Sequence, residues 1–304
     1  MDQLVAIRVF ARVVEAGSFT RAADSLAMPN ATVSKLVQEL EAHLGVRLLQ
    51  RTTRRLTVTP EGREYYEKSA RIVRDLEDID TSFNAARGTP RGQLRIDIGG
   101  STARDVLIPA LPGFVARFPD IRLDLGVSDR QVNLISDNVD CVIRGGALDS
   151  SSLVGRQIGL APMVTCATPA YLKRFGVPRY PEELKNGHRL VSYVSAQNSR
   201  AVPFVFARDG ERREIKVEHS LGVNESNAHL AAGLAGLGII QTFAYAAAPA
   251  LKEGMLSEIL QDWLPPAYPF HVVYPHNRHV TQRLRVFIDW LVEAIPPRLA
   301  AVAA

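Results

Sequence analysis

A chain of 304 residues, 46% of them apolar, has room for two domains and core enough to do without covalent staples. Its 36 Lys and Arg against 32 Asp and Glu leave a net charge of +4, too small to name a partner by itself. Two widely separated cysteines, Cys141 and Cys166, exclude a disulfide framework and a cysteine-based metal site, and predict buried thiols in a reducing compartment.

Leu4, Ile7, Phe10 and Val14 recur at helical spacing. Arg8, Arg12 and Glu15 interrupt that run before it reaches the length of a secretory leader, so none is expected. Gly17 stops the helix, and Ser18 is a capping residue for the next, whose buried stripe is Phe19, Ala22, Ala23 and Leu26. Met28-Pro29-Asn30 breaks the pattern. Asn30 is expected to cap a third helix with Val33, Leu36, Val37, Leu40 and Leu44 inside and Gly45 at its end. Two such helices across a short turn describe a helix-turn-helix. Leu48 to Val58 is β-prone at both ends and basic in the middle, which suits a wing hairpin. Between Arg21 and Arg63 the bases Arg21, Lys35, Arg47, Arg51, Arg54, Arg55 and Arg63 outnumber the acids Asp24, Glu39, Glu41 and Glu61.

Thr59-Pro60-Glu61-Gly62 starts a long helix, with a cap, a proline at the first helical position and an acid in the first turn. Along it Tyr65, Ser69, Ile72, Leu76, Ile79 and Phe83 make a heptad seam. A small winged domain cannot bury that seam, so Tyr65, Ile72, Leu76, Ile79 and Phe83 are expected to meet a second copy; packing on its own chain is the alternative. Gly88, Pro90 and Gly92 mark a hinge over 88–92. Leu94–Ile98, Ile121–Val127 and Cys141–Ile143 then read as strands and Leu107–Phe118 as a helix, which implies α/β with a mostly parallel sheet. The charge-free run Leu230–Leu251 could span a bilayer by length. Gly233, Gly236, Gly238, Gln241 and Pro249 make it a buried helix, strand and helix instead, in a cytoplasmic protein with no membrane partner.

A recognition helix presents its first turns to base edges. Asn30, Thr32, Ser34, Lys35 and Gln38 lie opposite the apolar stripe, and Ser18 and Thr20 of the preceding helix join the expected DNA contacts. Arg51, Arg54 and Arg55 on the wing can reach phosphates or a narrow minor groove. Two copies would read an imperfect palindrome of double-stranded DNA. In the second half, Gly99-Gly100-Ser101-Thr102 can hold a carboxylate at a helix N-terminus, and Arg144 can neutralise an anion. Ordinary capping is the simpler account of each. The chain has no nucleophile elbow, P-loop, His-Glu-x-x-His or cysteine pairs, so no enzyme is expected. Gly233–Gly238 has the wrong spacing for a nucleotide fingerprint. His271, His276 and His279 suit a strand end and a basic loop better than a metal, so no metal and no cofactor are expected.

Four blocks carry a resemblance. They are Ala16-Gly17-Ser18-Phe19-Thr20-Arg21-Ala22-Ala23, Thr32-Val33-Ser34-Lys35, Leu40 to Arg54, and Leu56-Thr57-Val58-Thr59-Pro60-Glu61-Gly62. In this order and spacing they resemble the signature of the LysR-type transcriptional regulators. Where many members have a Ser or Gln pair entering the third helix, Pro29 and Asn30 stand here. The resemblance implies an α/β protein overall: a winged helix-turn-helix over 1–59, a linker and dimerisation helix over 60–87, the hinge over 88–92, and an effector-binding domain over 93–304. That last domain would resemble a two-lobed type 2 periplasmic-binding fold, lobe I over 93–163 and 268–300, lobe II over 164–267. An unknown small-molecule effector would sit between the lobes, an organic anion being the class that helix termini suit. Ser101, Thr102 and Ser128 match family pocket positions, and Asn224 to Asn227, with Asn224 and Ser226 as contacts, resembles a second helix-terminus site. A homodimer, paired again into a tetramer, follows from the same resemblance, with RNA polymerase as a further partner. Two other readings stay open: a solute-binding module with a largely non-specific DNA-binding arm, and a regulator that answers only to partner proteins.

Overall fold

Local capping limits the first helices. In the computed structural model, which describes residues 2–51, 56–83, 89–130, 139–146, 153–196, 198–216, 219–275 and 280–300, α1 (Gln3–Ala16) starts where Asp2 accepts from the Leu4 and Val5 N–H groups. It stops at Gly17, whose φ of 59° is left-handed. α2 (Phe19–Leu26) starts at Ser18, whose hydroxyl accepts from the Arg21 N–H. α3 (Asn30–Leu44) has Pro29 as its cap, with no capping side chain. The expected cap at Asn30 is therefore corrected: Asn30 lies inside the first turn and its amide donates to Thr20 Oγ1 at 3.4 Å. Proline fixes φ at the entry to the helix, so no side chain is needed to select it.

The small buried Ala22 and Ala23 let α2 close on Ile7, Phe10, Val33, Val37 and Leu40. The buried face of α1 is broader than its spacing suggests. It includes Ala6, Val9 and Val13, whereas Leu4 is exposed, because α1 touches α2, α3 and the later α4 (Pro60–Phe83). β1 (Leu49–Arg51) and β2 (Leu56–Val58) pair antiparallel with Leu49 opposite Val58. Glu41 of α3 accepts from the Leu48 and Leu49 N–H groups at 2.8 and 2.9 Å, which moors this hairpin to the helix. Thr59 Oγ1 accepts from the Gly62 N–H at 2.9 Å and donates to the Arg47 carbonyl at 2.8 Å, tying the start of α4 to the same loop. Residues 1–88 form one unit and 89–304 another.

The second unit begins with β3 (Gly92–Ile98). A continuous helical stretch comes next: α5 (Gly100–Thr102), a π-turn over Ala103–Leu107, and α6 (Ile108–Arg117). Then come β4 (Ile121–Val127), β5 (Cys141–Gly145), β6 (Leu153–Ala161), β7 (Met163–Ala167) and α7 (Pro169–Phe175). β8 (Val191–Tyr193), β9 (Phe204–Arg208), β10 (Glu211–Ile215) and β11 (Leu221–Val223) precede α8 (Ser226–Leu234), β12 (Ile240–Phe243) and α9 (Ala244–Lys252). The chain closes with β13 (Ser257–Glu258), β14 (Tyr268–Pro275), α10 (Gln282–Ala294) and α11 (Pro296–Leu299). The run Leu230–Leu251 is thus helix, strand and helix, and among the described residues no helix is long and apolar enough to cross a membrane.

Two sheets organise this unit. The first has the order β4-β3-β5-β14-β6, with β3 parallel to β4 and β5, and β14 antiparallel to β5 and β6. In the second, β11 pairs parallel with β8, and β7 pairs antiparallel with β12 and β13. A parallel bridge from Leu190 to Ile239 joins them into the order β11-β8-β12-β7-β13, repeating the first sheet's sequence of directions. The sheets are therefore mixed, which corrects the expectation of a mostly parallel one. The antiparallel strands β6 and β14 are those by which the chain leaves the first sheet and returns to it, a role that helix–strand alternation does not reveal. Helices α6 and α10 cover the first sheet through Phe114, Phe287 and Trp290, with Phe114 and Phe287 5.2 Å apart edge to face.

Phe114 is fully buried in this ring cluster. Phe114→Ala is expected to destabilise the second unit by about 3–5 kcal/mol. A lower denaturant midpoint, followed through the fluorescence of Trp263 and Trp290, checks it.

Candidate functional site

In the first unit the polar side of α3 stands over the buried Val33, Val37 and Leu40. Asn30, Thr32, Lys35 and Gln38 are exposed on it, and Ser34 is half-buried at its edge. Lys35 reaches Glu39 only at 3.9 Å, an exposed pair that holds it weakly. Thr20 is exposed beside Asn30, while the Ser18 hydroxyl caps α2. Arg51 belongs to β1; its side chain, and all of Arg54 and Arg55, lie outside the described residues. Along α4, Tyr65 lies 5.8 Å from the Phe10 ring and joins its own unit's core, as Ser69 and Val73 do, both buried. The heptad spacing did not separate this inner row from Ile72, which is 51% exposed, and Leu76, which is half-buried. The side chains of Ile79 and Phe83 lie outside the described residues.

In the second unit, parallel pairing places Ile98 opposite Val127, so the carboxyl ends of β3 and β4 finish side by side. The residues just beyond the two strands must then be adjacent: Gly99-Gly100 after β3, and Ser128-Asp129 after β4. Ligands of open α/β sheets sit beyond such strand ends. The start of α8 faces this place from the second sheet. Gly100 N–H donates to Asp129 Oδ1 at 2.8 Å, and Ser226 N–H donates to Asp129 Oδ2 at 2.5 Å. Ser101 N–H donates to Ser226 Oγ at 2.9 Å. Thr102 Oγ1 and Tyr245 Oη lie 3.0 Å apart, one hydroxyl donating to the other. Glu225 caps α8, accepting from the N–H groups of Asn227 and Ala228 at 3.0 and 2.8 Å.

Gly100 lets the side chains of α8 come close. A Cβ there would stand 2.5 Å from Glu225 Oε1 and 2.7 Å from Asn227 Nδ2, both across the junction. The structure therefore brings Ser101, Thr102, Ser128 and Ser226 to one locality. The Ser128 hydroxyl accepts locally from the Arg130 N–H, and Asn224 is exposed at the rim. Arg144 ion-pairs with the buried Asp97 and donates to the carbonyls of Ser128, Arg130 and Ile143. Gly126 leaves room for that pair, since its Cβ would meet Asp97 Oδ2 at 2.7 Å. Asp129 and Tyr245 were not singled out from the sequence, and Gly100 and Glu225 entered it only as members of the runs 99–102 and 224–227. The available signal for Asp129 was its place next to Ser128 at a strand end.

Aromatic rings line the junction. Phe243 and Tyr245 stack at 5.2 Å, and Phe243 also meets Tyr268 and Phe270. Burial, then the hydrogen bonds of Thr102 and Ser101 pulling back, leave the Tyr245 phenol pushed up to about 12. Burial first and the charge of Asp129 second push Tyr193 up as well. Burial also acts on Glu225 in the upward sense, but the N–H groups of Asn227 and Ala228 and the side chains of Asn227 and Ser226 outweigh it and hold the carboxyl below its usual range. His229 Nε2 meets the Val191 carbonyl at 2.9 Å, and burial pulls its pKa down. Cys141 and Cys166 are buried; burial and the charge of Glu258 push Cys166 up to about 12, and Cys141 is raised too, so neither is a ready nucleophile. Among the described residues no cluster of His, Cys, Asp and Glu could hold a metal; His276 and His279 lie outside them.

Two family models match the chain. Residues 4–63 match the bacterial regulatory helix-turn-helix protein of the lysR family, and residues 87–296 match the LysR substrate binding domain. The HTH-type transcriptional regulator YhjC of Escherichia coli is 40% identical over 96% of this chain and 97% of its own. An HTH-type transcriptional repressor of Pseudomonas aeruginosa is 39% identical over 96% and 92%. Among solved structures, CrgA, a LysR-type transcriptional regulator from Neisseria meningitidis, superimposes with a TM-score of 0.60 at 35% identity, covering 96% of this chain and 98% of that one. The Vibrio cholerae virulence activator AphB does so at 0.58 and 27% identity, covering 95% and 98%.

Two variants test the junction. Gly100→Ala is expected to lower the melting temperature, because the methyl must displace the Glu225 carboxylate that caps α8 and the Asn227 amide beside it. Gly113→Ala, on α6 with nothing within 4 Å of the added carbon, leaves it unchanged or raises it slightly. The pH dependence tests His229. In the unfolded chain this histidine takes up a proton as pH falls through about 6.5. The folded chain does so only lower, so stability declines from there downward. Melting curves between pH 7 and 5 should show that decline, and His229→Gln should flatten it.

Proposed function

Because the chain belongs to the LysR-type family of transcriptional regulators, we propose that α3 enters the major groove of double-stranded DNA while the domain beyond α4 senses a small molecule between its two sheets. The DNA reading rests on one observation: a polar, exposed face of Asn30, Thr32, Lys35 and Gln38 stands over a buried apolar stripe, on a helix moored to its neighbours. Asn and Gln suit adenine, Lys suits guanine, and the Thr methyl suits thymine. Ser34 at the edge of that face, with Ser18 and Thr20 on α2, would hold phosphates, which position the helix without specifying sequence. Arg51, Arg54 and Arg55 would extend the contact through the wing.

Two copies, joined along α4 through Ile72 and Leu76 with Ile79 and Phe83 beyond them, would present two such helices to an imperfect palindrome. Tyr65 would brace this helix against its own unit. Pairs of dimers, and contact with RNA polymerase, would belong to the same assembly in the cytoplasm. The effector would meet Ser101, Thr102, Ser128, Asn224 and Ser226, with Arg144 bracing the loop after β4 through Asp97. The family and the relatives are regulators, and no catalytic role is assigned.

Quantitative footprinting on the DNA flanking the protein's own gene, against scrambled DNA at the same salt, tests the reading. Protection of a short palindrome, tighter than the control by about 10³-fold or more, is the expected result. Thr32→Ala and Gln38→Ala should each weaken that site by about 1–3 kcal/mol and leave scrambled DNA unaffected. Equal, salt-sensitive binding to both DNAs would favour a solute-binding module with a non-specific arm.

A further inference from the structure

We propose that Asp129 is the built-in occupant of the anion seat between the two sheets, so that the native chain does not accept the carboxylate of a small molecule there. The proposal rests on the reading that the effector enters between the sheets, and it narrows the class of that effector. Two helix N-termini meet at this point, and both give an N–H to one carboxylate: Gly100 to Oδ1 at 2.8 Å and Ser226 to Oδ2 at 2.5 Å. The Ser101 N–H, next along α5, goes to Ser226 Oγ at 2.9 Å. On α8 the N–H groups of Asn227 and Ala228 go to Glu225. The donors that a ligand carboxylate would use are therefore already held by the protein's own oxygens.

Charge and tethering act in the same direction. A second anion would have to settle beside the carboxylates of Asp129 and Glu225, at a cost from like charge. Asp129 is also attached at the seat. The parallel register of β3 and β4 delivers it beside Gly100, so its effective concentration there far exceeds that of a dissolved competitor. Gly99 and Gly100 complete the fit. A Cβ on Gly99 would stand 2.9 Å from Asp129 Oδ1, and one on Gly100 would strike Glu225. The effector of the native chain accordingly presents no carboxylate to these helix ends and is held by the neighbouring rings and hydroxyls instead.

The test uses the full-length protein and sodium acetate as the probe, with sodium chloride at equal ionic strength as the control. Asp129→Ala leaves two facing N–H groups without their acceptor. It is expected to melt roughly 5 °C below the native protein in chloride, and to recover saturably in acetate. The native protein is expected to respond to acetate no more than to chloride. Acetate stabilisation of the native protein equal to that of the variant overturns the proposal, as does an Asp129→Ala protein indifferent to acetate. Should Asp129→Ala not fold, hydrogen exchange on Asp129→Asn decides. Faster exchange than native in the segments around Gly100 and Ser226 supports the clamp, and unchanged exchange overturns it. Acetate rescue needs no effector. A fruitless effector screen would count against the inter-sheet reading alone, and a failed rescue against Asp129 alone.

Discussion

Two helix N-termini that give their N–H groups to one point carry like partial charges there, about half an elementary charge each, and repel unless something negative sits between them. Much of the second unit is arranged around that constraint. The parallel pairing of β3 and β4 brings Asp129 to the seat. Glycines at 99 and 100 let the helix ends approach. Glu225 takes up the remaining N–H groups of α8. Arg144, fastened to Asp97 beneath, holds three backbone carbonyls, two of them on either side of Asp129. The loop is thus braced from below while its carboxylate works above. The rings of Phe243, Tyr245 and Tyr268 pack together beside it.

The first unit solves a different problem, that of holding the helix proposed to read DNA still. A recognition helix specifies bases only if its backbone is fixed, because each base contact is a short directional hydrogen bond. The buried alanines of α2 supply close packing. Glu41 supplies a polar tie, with one carboxylate oxygen accepting from the N–H groups of Leu48 and Leu49, where the wing begins. Thr59 ties the base of α4 to the loop before that strand, and a Cβ on Gly62 would drive into the Leu48 carbonyl. Helix, wing and linker therefore share one joint.

Legibility in the sequence followed the range of the forces concerned. Caps and periodicities are local, and they located α1, α2, α3, the wing and the start of α4, along with β3, β4 and β5. Pro29 misled because proline enforces by ring geometry what Asn30 would have done by hydrogen bonding. The stripe on α4 was legible as apolar, but not as two rows, Tyr65 turned to Phe10 and Ile72 turned out. The direction of β6 and β14 depends on where the chain travels between sheets, which no local pattern encodes. For the same reason Ser101, Thr102 and Ser226 were legible as helix-end residues, whereas Asp129 was not. Its role exists only once two strand ends and a helix 97 residues away are brought together.

On the proposed reading, the same junction sets the scale on which an effector must act. Among the described residues, the hydrogen bonds that cross it include Ser226 N–H to Asp129, Ser101 N–H to Ser226, and the Thr102–Tyr245 pair. A neutral bond contributes about 0.5–1.5 kcal/mol net, and one to a charged group about 1.5–3. Closure held by such a set is therefore worth a few kcal/mol. That is the size of the differential affinity one small ligand can express for one arrangement over another. A stronger clamp would leave a ligand powerless, and a weaker one would leave it nothing to shift. A tethered carboxylate is suited to this middle range, because it holds the helix ends together through hydrogen bonds that exchange readily, with no covalent or metal link to break.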